Sequence, residues 1–194
     1  MNLVTRYHPI LVVLHWILAF LIIAALGLGA VVMVKIPNTD PMKYEALRSH
    51  MLGGLAIVVL MLVRLIVRSR TQHPAAASTG SPGLDRLAKI SHRVLYIAVF
   101  GMGVSGLIMA LQTDLPHILF VGGNLPADFW IYPVRSIHYV FSRLLMLSIA
   151  LHIAGAIYHT AILRDGLLKR MFFGRRISSG TEVAQKRSVQ ESAS

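Results

Sequence analysis

The chain has 194 residues, of which 55% are hydrophobic and only 14% charged, a balance that excludes an ordinary soluble domain. A formal net charge of +11 would suit a nucleic-acid binder, but the basic residues gather at the ends of apolar runs instead of mixing with aromatics on one soluble surface. With no cysteine anywhere, disulfides, iron–sulfur clusters and thioether-linked cofactors are excluded together, and any metal must take other ligands.

Four apolar runs follow in chain order, Pro9–Val34, Ala46–Val67, Leu87–Leu111 and Ile137–Leu163. Each approaches or exceeds the ~20 residues needed to cross a ~30 Å hydrocarbon core. The first is too long for the h-region of a signal peptide and its flank "MNLVTRY" carries a single positive charge, so it is read as a retained helix. The predicted fold class is all-α, an integral membrane four-helix bundle. Residues 1–176 are expected to form one domain and 177–194, polar and rich in serine, a disordered tail.

Cations set the expected orientation. Arg64, Arg68 and Arg70 end the second run, Arg86, Lys89 and Arg93 open the third, and Arg164, Lys169, Arg170, Arg175, Arg176, Lys186 and Arg187 follow the fourth. The positive-inside rule then places both termini and the second connection in the cytoplasm. That connection, "SRTQHPAAASTGSPG", reads as a short flexible link. The third connection, "QTDLPHILFVGGNLPADFWIYPVRS", reads as a cap at the outer interface, because Phe120, Phe129, Trp130 and Tyr132 are spaced by Gly-Gly and prolines.

Histidines carry the chemistry. An ionisable side chain inside a span is costly, and is by default a functional-site hypothesis. His15 and His152 lie at matched depths from the cytoplasmic ends of spans one and four; His50 and His138 open spans two and four from the outer side. Within "HYVFSRLLMLSIALH" the two imidazoles of span four are separated by about 21 Å and only about 40° of rotation, so one helix face presents them at two depths. Two imidazoles facing each other across a bundle can take both axial positions of a haem iron, with the macrocycle between helices. Gly101, Gly103, Ser105, Gly106, Ala110, Ala154 and Gly155 leave room for close packing or a flat cofactor. Zinc would want a carboxylate or thiol among its ligands, and the spans offer neither at these depths.

His92, at the cytoplasmic start of span three, competes with His15 as a ligand. Arg64, fourteen residues after His50 on a similar face, and Arg143, inside span four, are expected to pair with haem propionates. His159 is a candidate contact for a quinone oxygen or a haem propionate, or else an interfacial histidine; a quinone is expected near His159 and Arg164, and His8, His73 and His117 are read as loop residues.

The segments "YHPILVVLHW", "RSHMLGGLAIVVLMLVRLIVR", "SHRVLYIAVFGMGVSGLIM" and "SIHYVFSRLLMLSIALHIAGAIYHTAILRDGLLKRM" together resemble the bacterial cytochrome b561 family, four-helix dihaem membrane cytochromes related to hydrogenase cytochrome b subunits. The resemblance covers about Tyr7 to Met171. It implies two non-covalent haem b groups with His15, His50, His138 and His152 as axial ligands, in the bacterial inner membrane. Within the family the chain looks most like the small stand-alone superoxide oxidases, which implies superoxide as outer donor and ubiquinone as acceptor. Lys35, Lys43, Arg48 and Arg135 on the outer side would attract an anion, offset by Asp40, Glu45, Asp114 and Asp128. The alternative expectation is an electron-relay anchor for a periplasmic or membrane-bound dehydrogenase or hydrogenase.

Overall fold

Every long helix begins on a proline, whose fixed φ and missing N–H suit the first helical turn. In the computed structural model, which describes residues 4–75 and 78–174, α1 spans Pro9–Gly27, α2 Pro41–Arg70, α3 Pro82–Gln112, a short α4 Leu115–Phe120, and α5 Pro133–Ile157. The α1 N-terminus is capped by His8, whose Nδ1 accepts from the Ile10 N–H at 3.3 Å, and that of α2 by Asp40, whose carboxylate accepts from the Met42 N–H at 2.8 Å. These prolines start α2, α3 and α5 several residues before the apolar runs do. His50 is consequently more than two turns inside its helix instead of at its mouth.

Counting their irregular extensions, four helices are long and apolar enough to cross a membrane: Pro9–Lys35, Pro41–Arg70, Pro82–Gln112 and Pro133–Leu163. The chain is an all-α integral membrane bundle. Both α1 and α5 loosen at their C-terminal ends into a wider π-helical turn, Leu28–Val32 and Tyr158–Leu163. The first is tied off by Lys43, whose ammonium donates to the carbonyls of Met33 and Ile36, the latter at 2.9 Å. One end of the bundle carries the start of α1 and the residues after α5, the terminal end; the other carries the long third connection, the loop end.

In lipid the apolar faces have no water to flee, so close packing has to hold the helices together. α3 packs most extensively on α5, and α1 on α2. Glycine permits this: a Cβ at Gly101 would overlap the Phe141 ring of α5, and one at Gly103 a methyl of Val58 on α2. Gly101→Leu is expected to lower stability by about 1–3 kcal/mol, the usual cost of overpacking, read as a fall in Tm of the protein in detergent. Midway along the bundle Leu18, Ile57, Met61, Ala98, Val99 and Leu145 form a buried apolar cluster.

The third connection is structured. Leu115 and Leu119 of α4 are buried with Leu47 and Ala110, and Phe129 packs on the same cluster. Asn38 donates to the Pro126 and Ala127 carbonyls, and the Arg48 guanidinium to that of Leu119. Within the described part of the second connection the Asp85 carboxylate accepts from the Ser78 and Thr79 hydroxyls and the Thr79 N–H, and Arg170 donates to the Ala75 carbonyl. Residues after α5 fold back over the start of α1. Arg6 donates to the carbonyls of Lys169, Phe172 and Phe173, and the Trp16 indole to that of Met171 at 2.9 Å. The expected tail at 177–194, with Arg175 and Arg176, lies outside the described residues.

Candidate functional site

Although α5 packs tightly on α3, it makes few close backbone approaches to α1 or α2. Imidazoles face one another across those two gaps. His15 of α1 and His152 of α5 have ring centroids 6.1 Å apart, and His50 of α2 and His138 of α5 6.2 Å apart. A metal held between two collinear imidazoles, at about 2.0 Å from each nitrogen with each nitrogen about 1.1 Å from its ring centre, requires about 6.2 Å. Both pairs have that separation, at two levels about 21 Å apart along α5.

The loop-end pair has a supporting shell. Ser105 of α3 donates its hydroxyl to the Gly101 carbonyl at 2.6 Å, so the His138 Nδ1–H donates to the Ser105 oxygen, 3.0 Å away. That fixes the tautomer and leaves His138 Nε2 with its lone pair free for a metal. The buried Nδ1 of His50 makes no hydrogen bond of normal geometry among the described residues, although the Ala25 carbonyl is close enough to act on the ring. Glycines make the space. A Cβ at Gly29 would lie 3.1 Å from the His50 ring, and one at Gly106 3.3 Å from that of His138. A buried imidazole nitrogen without a well-formed hydrogen bond, a serine-held partner ring, glycine-lined rings and a gap between backbones together fit a flat, iron-centred macrocycle.

At the terminal end a third imidazole joins the pair. His92 of α3 stands 5.2 Å from His152, edge-on at 87°, with its Nδ1 2.8 Å from the Ala88 carbonyl. That separation is about 1 Å too short for a collinear metal bridge, so the geometry favours His15 as the partner of His152. Arg64 donates to the Tyr96 hydroxyl at 2.6 Å, and its charge bears on both His15 and His152. The guanidinium therefore stands beside this pair, where a propionate would need it.

Not every predicted residue converges. Arg143 is exposed and lies over the Tyr139 ring, 4.7 Å from its centroid. It is about 140° around α5 from His138, so the structure does not bring it to either pair. Arg164 contributes through its backbone, adopting φ 51° and donating its N–H to the His159 carbonyl, while its side chain is exposed. Among the four loop-end cations, Lys43 and Arg48 are bound to carbonyls and Arg135 lies over Trp130, leaving Lys35 exposed at the surface. Arg135 is near enough to Lys43, His50 and His138 for its charge to act on all three.

His159 is buried, and its Nδ1 lies 2.6 Å from the Asp165 carboxylate. Left-handed residues at Arg164 and Gly166 turn the chain so that Asp165 reaches back, and its other oxygen accepts from the Leu167 N–H at 2.9 Å. Burial pushes the Asp165 carboxyl up, but the His159 hydrogen bond, the Leu167 N–H and the charges of His159 and Arg170 together hold it below the usual range. Asp165 and Ser105's bond to His138 were not anticipated from sequence. A hydroxyl one turn from Gly101 in an apolar helix was the available signal for the second; the first had none, because the six-residue spacing matches no helical repeat.

Four membrane-crossing helices that hold facing imidazoles at two depths have the architecture of a membrane-embedded electron carrier. The match agrees: residues 6–174 fit the model of the prokaryotic cytochrome b561 family, and the chain belongs to that family. It is a multi-pass bacterial membrane protein of electron transfer, and the family carries b-type haem. Similar proteins include the probable superoxide oxidase CybB of Yersinia pestis, 25% identical over 88% of this chain and 98% of that one. Cytochrome b561 homolog 2 of Escherichia coli K12 is 25% identical over 88% of this chain and 93% of its own length, and homolog 1 is 24% identical over 88% and 99%.

Proposed function

We propose that this chain holds two b-type haems, one on each imidazole pair, and passes single electrons through the bilayer from superoxide at the loop end to ubiquinone at the terminal end. The observation that carries the reading is the pair of separations, 6.1 and 6.2 Å, at two depths of one bundle. Bound haem would supply reversible one-electron chemistry. The basic connections support cytoplasmic termini and an inner-membrane setting, with the loop end in the periplasm. The likeness to a probable superoxide oxidase supports the donor.

The stoichiometry balances: two superoxide anions each give up one electron and leave as dioxygen, and one quinone takes both electrons and two protons to become quinol. Arg135 provides a standing positive field beside the loop-end pair, which draws in an anion and not the neutral dioxygen product. At the terminal end His159 handles protons. With Nδ1 committed to Asp165, Nε2 is the nitrogen left to meet a quinone oxygen. Asp165→Asn is expected to slow ubiquinone-driven reoxidation about tenfold, as loss of an orienting partner does. The haem spectrum and the rate of reduction by superoxide should stay as in the wild type; a change in the spectrum instead would place Asp165 in the haem site.

The direct test mixes oxidised, purified protein with superoxide and follows the haem bands, with a superoxide scavenger as control and dithionite as endpoint. Fast reduction abolished by the scavenger, then reoxidation by ubiquinone, supports the proposal. A protein reducible by dithionite but indifferent to superoxide favours the second reading, a relay anchored to a redox partner. That reading draws on the exposed apolar ridge of the loop-end cap, where Phe120, Val121 and Ile131 are 56, 77 and 70% accessible.

A further inference from the structure

Arg143 stands ten residues into α5 from Pro133, about 15 Å along the helix, on a flank that faces lipid. A charge there is expensive, and long side chains relieve the cost by reaching toward the interface. Arg143 reaches that way. Its guanidinium lies over Tyr139, one turn nearer the loop end; Tyr139 meets Trp130 edge-on at 5.7 Å; and the Trp130 ring carries Arg135 at 4.4 Å. Trp130 and Tyr139 are 52 and 39% exposed. Two guanidinium groups thus bracket two accessible amphipathic rings of the kind favoured at headgroup level. Among the described residues Arg143 has no ion pair, and Arg135 is faced by the charge of Asp128.

We infer that this ladder binds the phosphate of a net-anionic phospholipid in the loop-end leaflet, with Arg143 as the main contact and the acyl chains lying along α5. Charge complementarity selects the occupant. A zwitterionic lipid would bring its own ammonium against two cations. A second copy meeting this face across a two-fold axis would set Arg143 near its own counterpart, which is repulsive. Arg143, the main contact, lies about 140° around α5 from His138 and so faces away from the imidazoles, while Arg135 at the outer end of the ladder also borders the loop-end pair.

The experiment uses the full, haem-loaded chain purified from mixed-lipid membranes. Native mass spectrometry is expected to show a bound phosphatidylglycerol that survives detergent washing, and added phosphatidylglycerol should raise Tm where phosphatidylcholine or inorganic phosphate does not. Arg143→Gln should cut lipid retention about fivefold, the equivalent of one surface cation, and abolish the Tm difference while the haem spectrum stays unchanged. Arg143→Lys, which keeps the charge but not the planar contact with the ring, should retain an intermediate amount and serves if the glutamine variant folds poorly. Equal retention by wild type and variants, equal protection by phosphatidylcholine or inorganic phosphate, or a wild-type dimer that Arg143→Gln dissolves would each overturn the assignment.

Discussion

Replacing His138 with alanine is expected to halve the haem bound per chain and to leave a single step in the redox titration. The ring is held between Ser105, which takes its Nδ1–H, and His50, 6.2 Å away across the gap between α2 and α5. Truncation would remove one of the two imidazoles proposed to hold the loop-end haem, and no cluster of three or more ligating side chains among the described residues stands ready to replace it. Alanine at His50 should give the same spectrum if, as proposed, the two rings serve one site. Either variant losing the other haem instead would break the proposed pairing. Ser105→Ala is the milder form of the experiment: with its orienting partner gone, the imidazole can rotate, and affinity at this site alone should fall about 10–100-fold.

Alanine at His15 is expected to empty the terminal-end site, whereas alanine at His92 should leave it filled. The contrast is informative because both rings neighbour His152, at 6.1 and 5.2 Å. Only the longer separation accommodates a metal between collinear nitrogens. His92, perpendicular to His152 and anchored to the Ala88 carbonyl, is placed to pack against an occupied site without ligating it. Its removal is therefore expected to shift the midpoint potential of the terminal-end haem, through altered packing and polarity, while keeping its stoichiometry. A His92→Ala protein that binds one haem fewer, beside a His15→Ala protein that keeps two, would exchange the roles of the two residues. Pyridine haemochrome assays on purified variants decide it.

Much of the bundle was legible because hydrophobic runs of membrane length have few alternatives. Matching histidines by depth needed only the 1.5 Å rise of a helix, and the rings that the sequence paired are the ones that face each other across the gaps. Rotation was also readable but carried less weight than it deserved: about 140° from His138, Arg143 had to point away from the imidazoles. Choosing between His15 and His92 was beyond the sequence, since both sit near the terminal end and the difference is one of ångströms set by helix packing. Asp165 was hidden for another reason. It reaches His159 through left-handed backbone at Arg164 and Gly166, and an arginine at φ 51° has no sequence signature. The cap at the loop end was foreseen as interfacial from its aromatics, whereas its burial of Leu115 and Leu119 depends on a contact with α2 and α3 that no local pattern encodes.

One member of each imidazole pair lies on α5, and the other lies on α1 or α2. As the chain leaves the ribosome, the first two helices enter the membrane carrying half-sites, and α3 must follow before either is completed. The partner for both arrives in one event, with the insertion of the last helix. Completion of the two imidazole pairs is thereby synchronised by topology. A chain cut short anywhere before His138 would reach the membrane with neither pair complete, so an interrupted translation product would not become a half-wired conductor.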